Sequence, residues 1–227
     1  MEIGQKAILL LERLGYQVVI PKHTESGRAA LSKGMLRKAK RIAEQNVTLL
    51  KDLVTEQTPL LGIEPSAILT FRDEYPELVV GSLRAAARAL AANALTVEEF
   101  IAREIDKSNI SRESFTREKR LVKLHGHCQQ KAVGSLVSTK RMLSLPENYE
   151  VQLIASGCCG MAGSFGYENE HYGLSMQIGE LVLLPAVRKL AADVLIAAPG
   201  TSCRHQIHDG TGRKALHPVE ILYSALV

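Results

Sequence analysis

The chain has 227 residues, 46% of them hydrophobic and 23% charged, with a net charge of +4. That is the profile of a soluble globular protein able to form one domain or two small lobes around a substantial core. With no Trp and 4% aromatic residues there is no platform for base stacking, so nucleic acid is not expected as a partner. No apolar run approaches the roughly 20 residues of a membrane span.

Met1-Glu2-Ile3-Gly4-Gln5 lacks the basic and apolar regions of a signal peptide. A cytoplasmic location is expected, where thiols stay reduced and grouped cysteines favour metal or redox chemistry over disulfides. Val18-Val19-Ile20, ended by Pro21, reads as the first strand. Leu36, Ala39, Ala43, Val47, Leu50 and Val54 then recur at helical spacings, one face of a helix. Leu60-Leu61-Gly62-Ile63 is the next strand, stopped by Glu64-Pro65-Ser66-Ala67. A helical zone covers Leu78 to Ile105, restarted after a break by Thr96-Val97-Glu98-Glu99, which has the form of a capping box. Lys107 to Arg117 has no apolar period and reads as a connection.

The second half repeats the plan. Strand 121–127 leads to a helix from Gln129 to Leu143, then to strand 151–156 and a Gly-rich loop, Gly157 to Gly166. A helix from Leu174 to Leu190 follows, which Pro185 should kink or divide. Strand 194–198 comes next, and His217-Pro218 opens the closing helix. The fold class is therefore α/β: two pseudo-repeated lobes, 1–116 and 117–227, each a short parallel sheet flanked by helices. Superimposing Gly27 on Gly160 sets Glu25 and Ser26 where the second half has Cys158 and Cys159, and Ala67 close to Cys203. The first half has the form of a site without thiols.

All four cysteines, Cys128, Cys158, Cys159 and Cys203, lie in the second half, each just beyond a predicted strand. Parallel strands share a carboxyl edge, which is where open α/β sheets place their sites. Four thiols converging there suit a soft metal. Cys158 and Cys159 are poorly placed for a mutual disulfide, their Cα atoms being about 3.8 Å apart across a trans peptide. Both can serve one site only if the chain bends, and Gly157 and Gly160 permit that. Strand alternation turns Cys128 inward with Val122 and Leu124, and His125 and His127 outward to solvent or a cofactor. Four thiolates complete either a [4Fe–4S] cluster or a tetrahedral zinc site. The chain lacks the paired C-x2-C hairpins of a zinc ribbon, and widely separated ligands suit the larger cluster. Two alternatives stay open: buried small apolar residues, and a metal-free redox pair at Cys158 and Cys159 with lowered pKa.

Other polar residues lie nearby. His125 and His127 flank Cys128 and could support or replace a ligand. Arg204, followed by His205, could offset thiolate charge. Glu168, Glu170 and His171 read as a solvated loop, and His208-Asp209-Gly210-Thr211-Gly212-Arg213 has turn composition. Gly160 to Gly166 lacks the lysine or the G-x-G-x-x-G spacing of a phosphate loop.

Three segments carry a family resemblance: His125-Gly126-His127-Cys128-Gln129-Gln130-Lys131-Ala132, Gly157 to Gly166, and Gly200-Thr201-Ser202-Cys203-Arg204-His205-Gln206-Ile207. They resemble the cysteine-rich CCG domain found in heterodisulfide reductase and in the iron–sulfur subunits of glycolate oxidase and anaerobic glycerol-3-phosphate dehydrogenase. That domain also forms the C-terminal region of fused FAD-linked oxidases of the D-lactate and D-2-hydroxyglutarate dehydrogenase type. Gly62-Ile63-Glu64-Pro65-Ser66 and Phe71-Arg72-Asp73-Glu74-Tyr75 extend the likeness to the last group across the first half. The resemblance implies that Cys128, Cys158, Cys159 and Cys203 are the ligands of one iron–sulfur cluster or, as in some members, of zinc. Gly200 stands where several relatives carry a further cysteine, so at most a four-thiolate site is implied. Nothing resembles a flavin- or substrate-binding domain. The implied role is an electron-transfer module that does not turn over a hydroxy acid alone. FAD would lie on a partner domain or subunit, with a downstream electron acceptor; a zinc-stabilised docking domain is the alternative.

Overall fold

Helix and short strand alternate along the chain, beginning with α1 (Glu2–Arg13), whose acidic first turn and basic last turn match the helix dipole. The computed structural model describes residues 2–227. Two units form: Val18–Val97, and a second in which the described residues up to Gln17 join Glu98–Val227. These units are not the halves 1–116 and 117–227. α1 packs with the last helix of the chain, Pro218–Ser224, and so belongs with the C-terminal residues.

In the unit Val18–Val97, residues 18–20 form no strand, and Val19 and Ile20 are 67% and 73% exposed. Strand formation needs a pairing partner, and the two-stranded sheet of this unit pairs other segments. α2 (Arg28–Ser32) precedes α3 (Leu36–Leu50), which buries Ala39, Ile42, Ala43, Asn46, Val47 and Leu50; of the face its periodicity marked, Leu36 is exposed and Val54 lies beyond the helix. β1 (Leu60–Gly62) leads to α4 (Pro65–Arg72), with Pro65 in the first turn. The expected long helical zone is instead α5 (Tyr75–Leu78), α6 (Arg84–Ala92) and β2 (Ala94–Thr96). β2 pairs in parallel with β1, Leu61 opposite Leu95. Three residues are too few to show a period of two, so this strand is invisible beside an Ala-rich helix. α7 (Val97–Asp106) restarts where the capping-box pattern placed it.

In the unit with Glu98–Val227, β3 (Arg120–Leu124) is followed by α8 (Cys128–Val133), α9 (Val137–Leu143) and β4 (Tyr149–Leu153). Then come α10 (Tyr172–Glu180), α11 (Leu183–Arg188), β5 (Leu195–Ala197), α12 (Thr201–Thr211) and α13 (Pro218–Ser224). Pro185 lies in the first turn of α11, so the long predicted helix divides ahead of it. His208 to Thr211 belong to α12 rather than to a turn; the helix ends at Gly212, whose φ of 69° suits glycine.

The sheet is parallel with order β4-β3-β5. Central β3 buries Val122 and Leu124 completely. Beyond β5, Ala197 forms a parallel bridge with Leu216, immediately before α13. His217 caps that helix by accepting from Val219 N at 3.1 Å, while Glu220 accepts from His217 N at 2.9 Å. Both sheets are short, parallel and flanked by helices. Among the described residues no helix is long and apolar enough to cross a membrane.

Candidate metal centre

The three strands of the larger sheet point their carboxyl ends the same way, and each delivers thiols there: β3 to Cys128, β4 to Cys158 and Cys159, β5 to Cys203. After β3 the chain leaves toward β4, whereas after β5 it leaves toward Leu216 on the opposite side. The gap between β3 and β5 is therefore the switch point where α/β sheets hold ligands. His125 sits on it, its backbone N–H donating to Ala197 O at 2.9 Å.

β3 stops at Leu124, so strand alternation does not reach Cys128: the inward expectation for Cys128 reverses, and of the two outward options for His125 solvent is ruled out. Cys128 is exposed, at the first position of α8, and His125 is fully buried. His127 caps α8, its Nδ1 accepting from Gln129 N at 3.2 Å.

The cysteine pair stands in a sharp loop. Gly160, at φ 99°, makes the bend; a Cβ there would lie 2.0 Å from Ser175 O and 3.0 Å from Gln206 Nε2. Gln206 Nε2 donates to the carbonyl and hydroxyl of Ser175, both at 3.1 Å, so that wall is fixed. The chain bends at Gly157 too, but with open space around it. Lys131 Nζ donates to the carbonyls of Ser156 and Gly157, tying α8 to this loop. Cys159 and Cys203 lie inside an apolar cluster with Met161, Leu183, Val187, Ile196 and Ile207. Cys158 is half-buried, so the four sulfurs run from the surface into the core.

The thiols act on one another in a row: Cys128 on Cys158, Cys158 on Cys159, and Cys159 on Cys203. Cys158 is held far below the usual thiol pKa by the hydrogen bond from Cys128, then by that from Cys159, with the N–H groups of Gly160 and Ala162 adding to it. Gly160 N lies 3.3 Å from its sulfur. Cys203 is held low chiefly by Cys159, against the opposing effect of burial. Cys128 and Cys159, which donate, are pushed up by those same hydrogen bonds and then by burial. A soft cation bound among these sulfurs would displace their protons.

Beside them a ring nitrogen of His125 and the sulfurs of Cys159 and Cys203 lie within 4.8 Å of one another. His125 Nδ1 contacts Ser156 Oγ at 2.7 Å, and Nε2, buried, has no hydrogen-bond partner. The donor set is soft, convergent and partly unsatisfied, and it fits a thiolate-bound metal or cluster.

Arg204 lies in the first turns of α12, directly after Cys203. Its guanidinium donates to the carbonyls of Ala198 and Pro199, at 2.9 and 2.6 Å, and braces the turn from β5 into α12. His171 takes Glu168 as a 3.0 Å partner and stacks on Phe165, both local to their loop.

In the unit Val18–Val97, the loop that the sequence sets beside the cysteine loop is held by other side chains. Gly27, at φ 77°, bends the chain as Gly160 does. Fully buried Asn46 accepts from Thr24 N and donates to Glu25 O and Tyr75 Oη, each at 2.8 Å. Tyr75 Oη donates onward to Ser26 O at 3.1 Å, and burial pushes its pKa up to about 12. Side chains of the protein staple this loop. Ala67 occupies the third position of α4, as Cys203 does of α12.

No family model matches the chain. It is similar to D-2-hydroxyglutarate dehydrogenases of Escherichia coli K12, 28% identical over 219 residues, and of Pantoea ananatis, 30% identical over 221 residues. Each match covers 95% of the chain and 20% of the relative. It is also similar to one subunit of the anaerobic glycerol-3-phosphate dehydrogenase of Escherichia coli K12, 26% identical over 227 residues, covering 99% of the chain and 55% of that protein. The chain thus spans about one fifth of the first two relatives and about half of the third.

Proposed function

We propose that this chain is the iron–sulfur electron-transfer part of an FAD-linked 2-hydroxyacid dehydrogenase, an oxidoreductase module of the CCG type. The convergence of Cys128, Cys158, Cys159 and Cys203 at the switch point of one parallel sheet carries the reading. The names of the similar proteins support it: both kinds are dehydrogenases, and the chain matches only a portion of each. A [4Fe–4S] cluster on these four sulfurs supplies one-electron chemistry when bound. The chain's own part is to hold it. Gly160 and Ala162 aim N–H groups at Cys158 and stabilise negative charge there, as Gly160 also bends the loop. The apolar wall of Met161, Leu183 and Val187 keeps water from Cys159 and Cys203. Exposed Cys128 marks the side open to a partner. Flavin and hydroxy-acid oxidation belong to a partner domain or subunit, and a further acceptor takes the electrons.

One observation favours a second reading. The His125, Cys159 and Cys203 donors are close enough together to bracket a single ion, as a structural zinc in a docking domain would require. An anaerobic redox titration followed by visible absorption separates the two. A broad band bleached reversibly by dithionite and restored on reoxidation supports electron transfer; a colourless protein with no couple supports zinc.

A further inference from the structure

We infer that His125 Nε2 is a nitrogen donor to the metal centre, making its ligand set mixed rather than purely thiolate. This rests on the metal-centre reading above. The ring is completely buried. Its tautomer follows from its neighbours: Ser156 Oγ donates to Ile154 O at 3.4 Å, so it accepts from Nδ1–H at 2.7 Å. The proton is then on Nδ1, and Nε2 presents a bare lone pair. Metal-binding histidines are characteristically oriented this way, by a hydrogen bond at the far nitrogen. That lone pair has no hydrogen-bond partner, and a buried acceptor left unmatched is unfavourable unless something occupies it. Cys159 and Cys203 are the donors beside it.

The surroundings leave no place for another thiol between β3 and β5. A Cβ at Gly200 would fall 2.3 Å from His127 Cδ2 and 3.3 Å from Cys203 Sγ. The imidazoles occupy that space, and of the two only His125 belongs to the close donor group; the Nδ1 of His127 is used in capping α8. His125 is thereby a ligand and Ser156 its positioning residue.

The test uses full-length chain purified anaerobically from cells grown with 15N-histidine. If the protein holds iron, pulsed EPR of the dithionite-reduced form should show a histidine nitrogen coupling that changes with the isotope. If it holds zinc, X-ray absorption should show an imidazole scatterer at about 2.0 Å beside the sulfurs. The signal should persist in His127→Ala and vanish in His125→Gln. Metal bound without that signal, or a signal unchanged in His125→Gln, overturns the assignment while leaving the metal centre standing. No metal at all overturns both. An isotope shift that persists in His127→Ala decides the matter even if His125→Gln does not fold.

Discussion

Gly160→Ala separates a glycine required by the site from one that merely lies near it. At φ 99° a side chain is strained, at a cost of about 1–2 kcal/mol. The new Cβ would stand 2.0 Å from Ser175 O, a backbone carbonyl within α10 that Gln206 pins at 3.1 Å. Relieving such a contact means shifting backbone, at about 1–3 kcal/mol. The sum is about 2–5 kcal/mol, equivalent to roughly 4–20 °C in melting temperature for a chain of this size. Gly157→Ala is the control. Nothing lies within 4 Å of its added Cβ, and its backbone is not left-handed, so its effect should stay within about 0.5 kcal/mol. The assay is thermal unfolding of the metal-free and metal-loaded proteins, with metal content measured on each. Gly160→Ala should lower both melting temperatures and lose metal, since Cys158 and Cys159 move with the loop. Equal behaviour of the two variants, with full metal content, would refute the reasoning.

Asn46→Ala removes the staple of the other repeat's loop and should cost about 2–4 kcal/mol in denaturant unfolding, with metal content unchanged. Glu98→Ala takes away the carboxylate 3.8 Å from His217 Nε2, both groups being fully buried; breaking such a pair should cost about 3 kcal/mol or more, read from the same unfolding curves. Tyr16, raised to about 12 by burial and then by its hydrogen bond to Glu104, and Tyr75, raised to about 12 by burial, should ionise late in an ultraviolet titration. Unfolded tyrosine ionises near pH 10, so the unfolded state sheds protons that the folded state keeps. Stability should be intact below about pH 10 and fall as pH rises to about 12; ionisation of all tyrosines near 10 without unfolding would contradict this.

The longer periodic helices were readable from sequence because α3 and the restart at α7 repeat their apolar residues over several turns. The three-residue strands were harder. β1 and β5 stood out by β-branched or leucine-rich composition between turn signals. β2 lay within an Ala-rich stretch, and its identity comes only from pairing with β1. Val18-Val19-Ile20 failed for the opposite reason: it has the composition of a strand and no partner. At the centre, the place of each cysteine beyond the carboxyl end of a strand followed from the apolar runs alone. The environment of His125 did not, because where β3 stops decides whether position 125 faces inward and whether Cys128 still belongs to a strand. One signal was available in Gly126, which ends the run early.

The most direct measurement is iron and acid-labile sulfide per chain in anaerobically purified wild-type protein and in Cys128→Ser, Cys158→Ser, Cys159→Ser and Cys203→Ser. The expected result is about four iron and four sulfide in the wild type, as a [4Fe–4S] cluster requires, with marked loss in every variant. One zinc without sulfide, or iron kept at full content in Cys203→Ser and Cys128→Ser, would contradict a single cluster held by these four thiols.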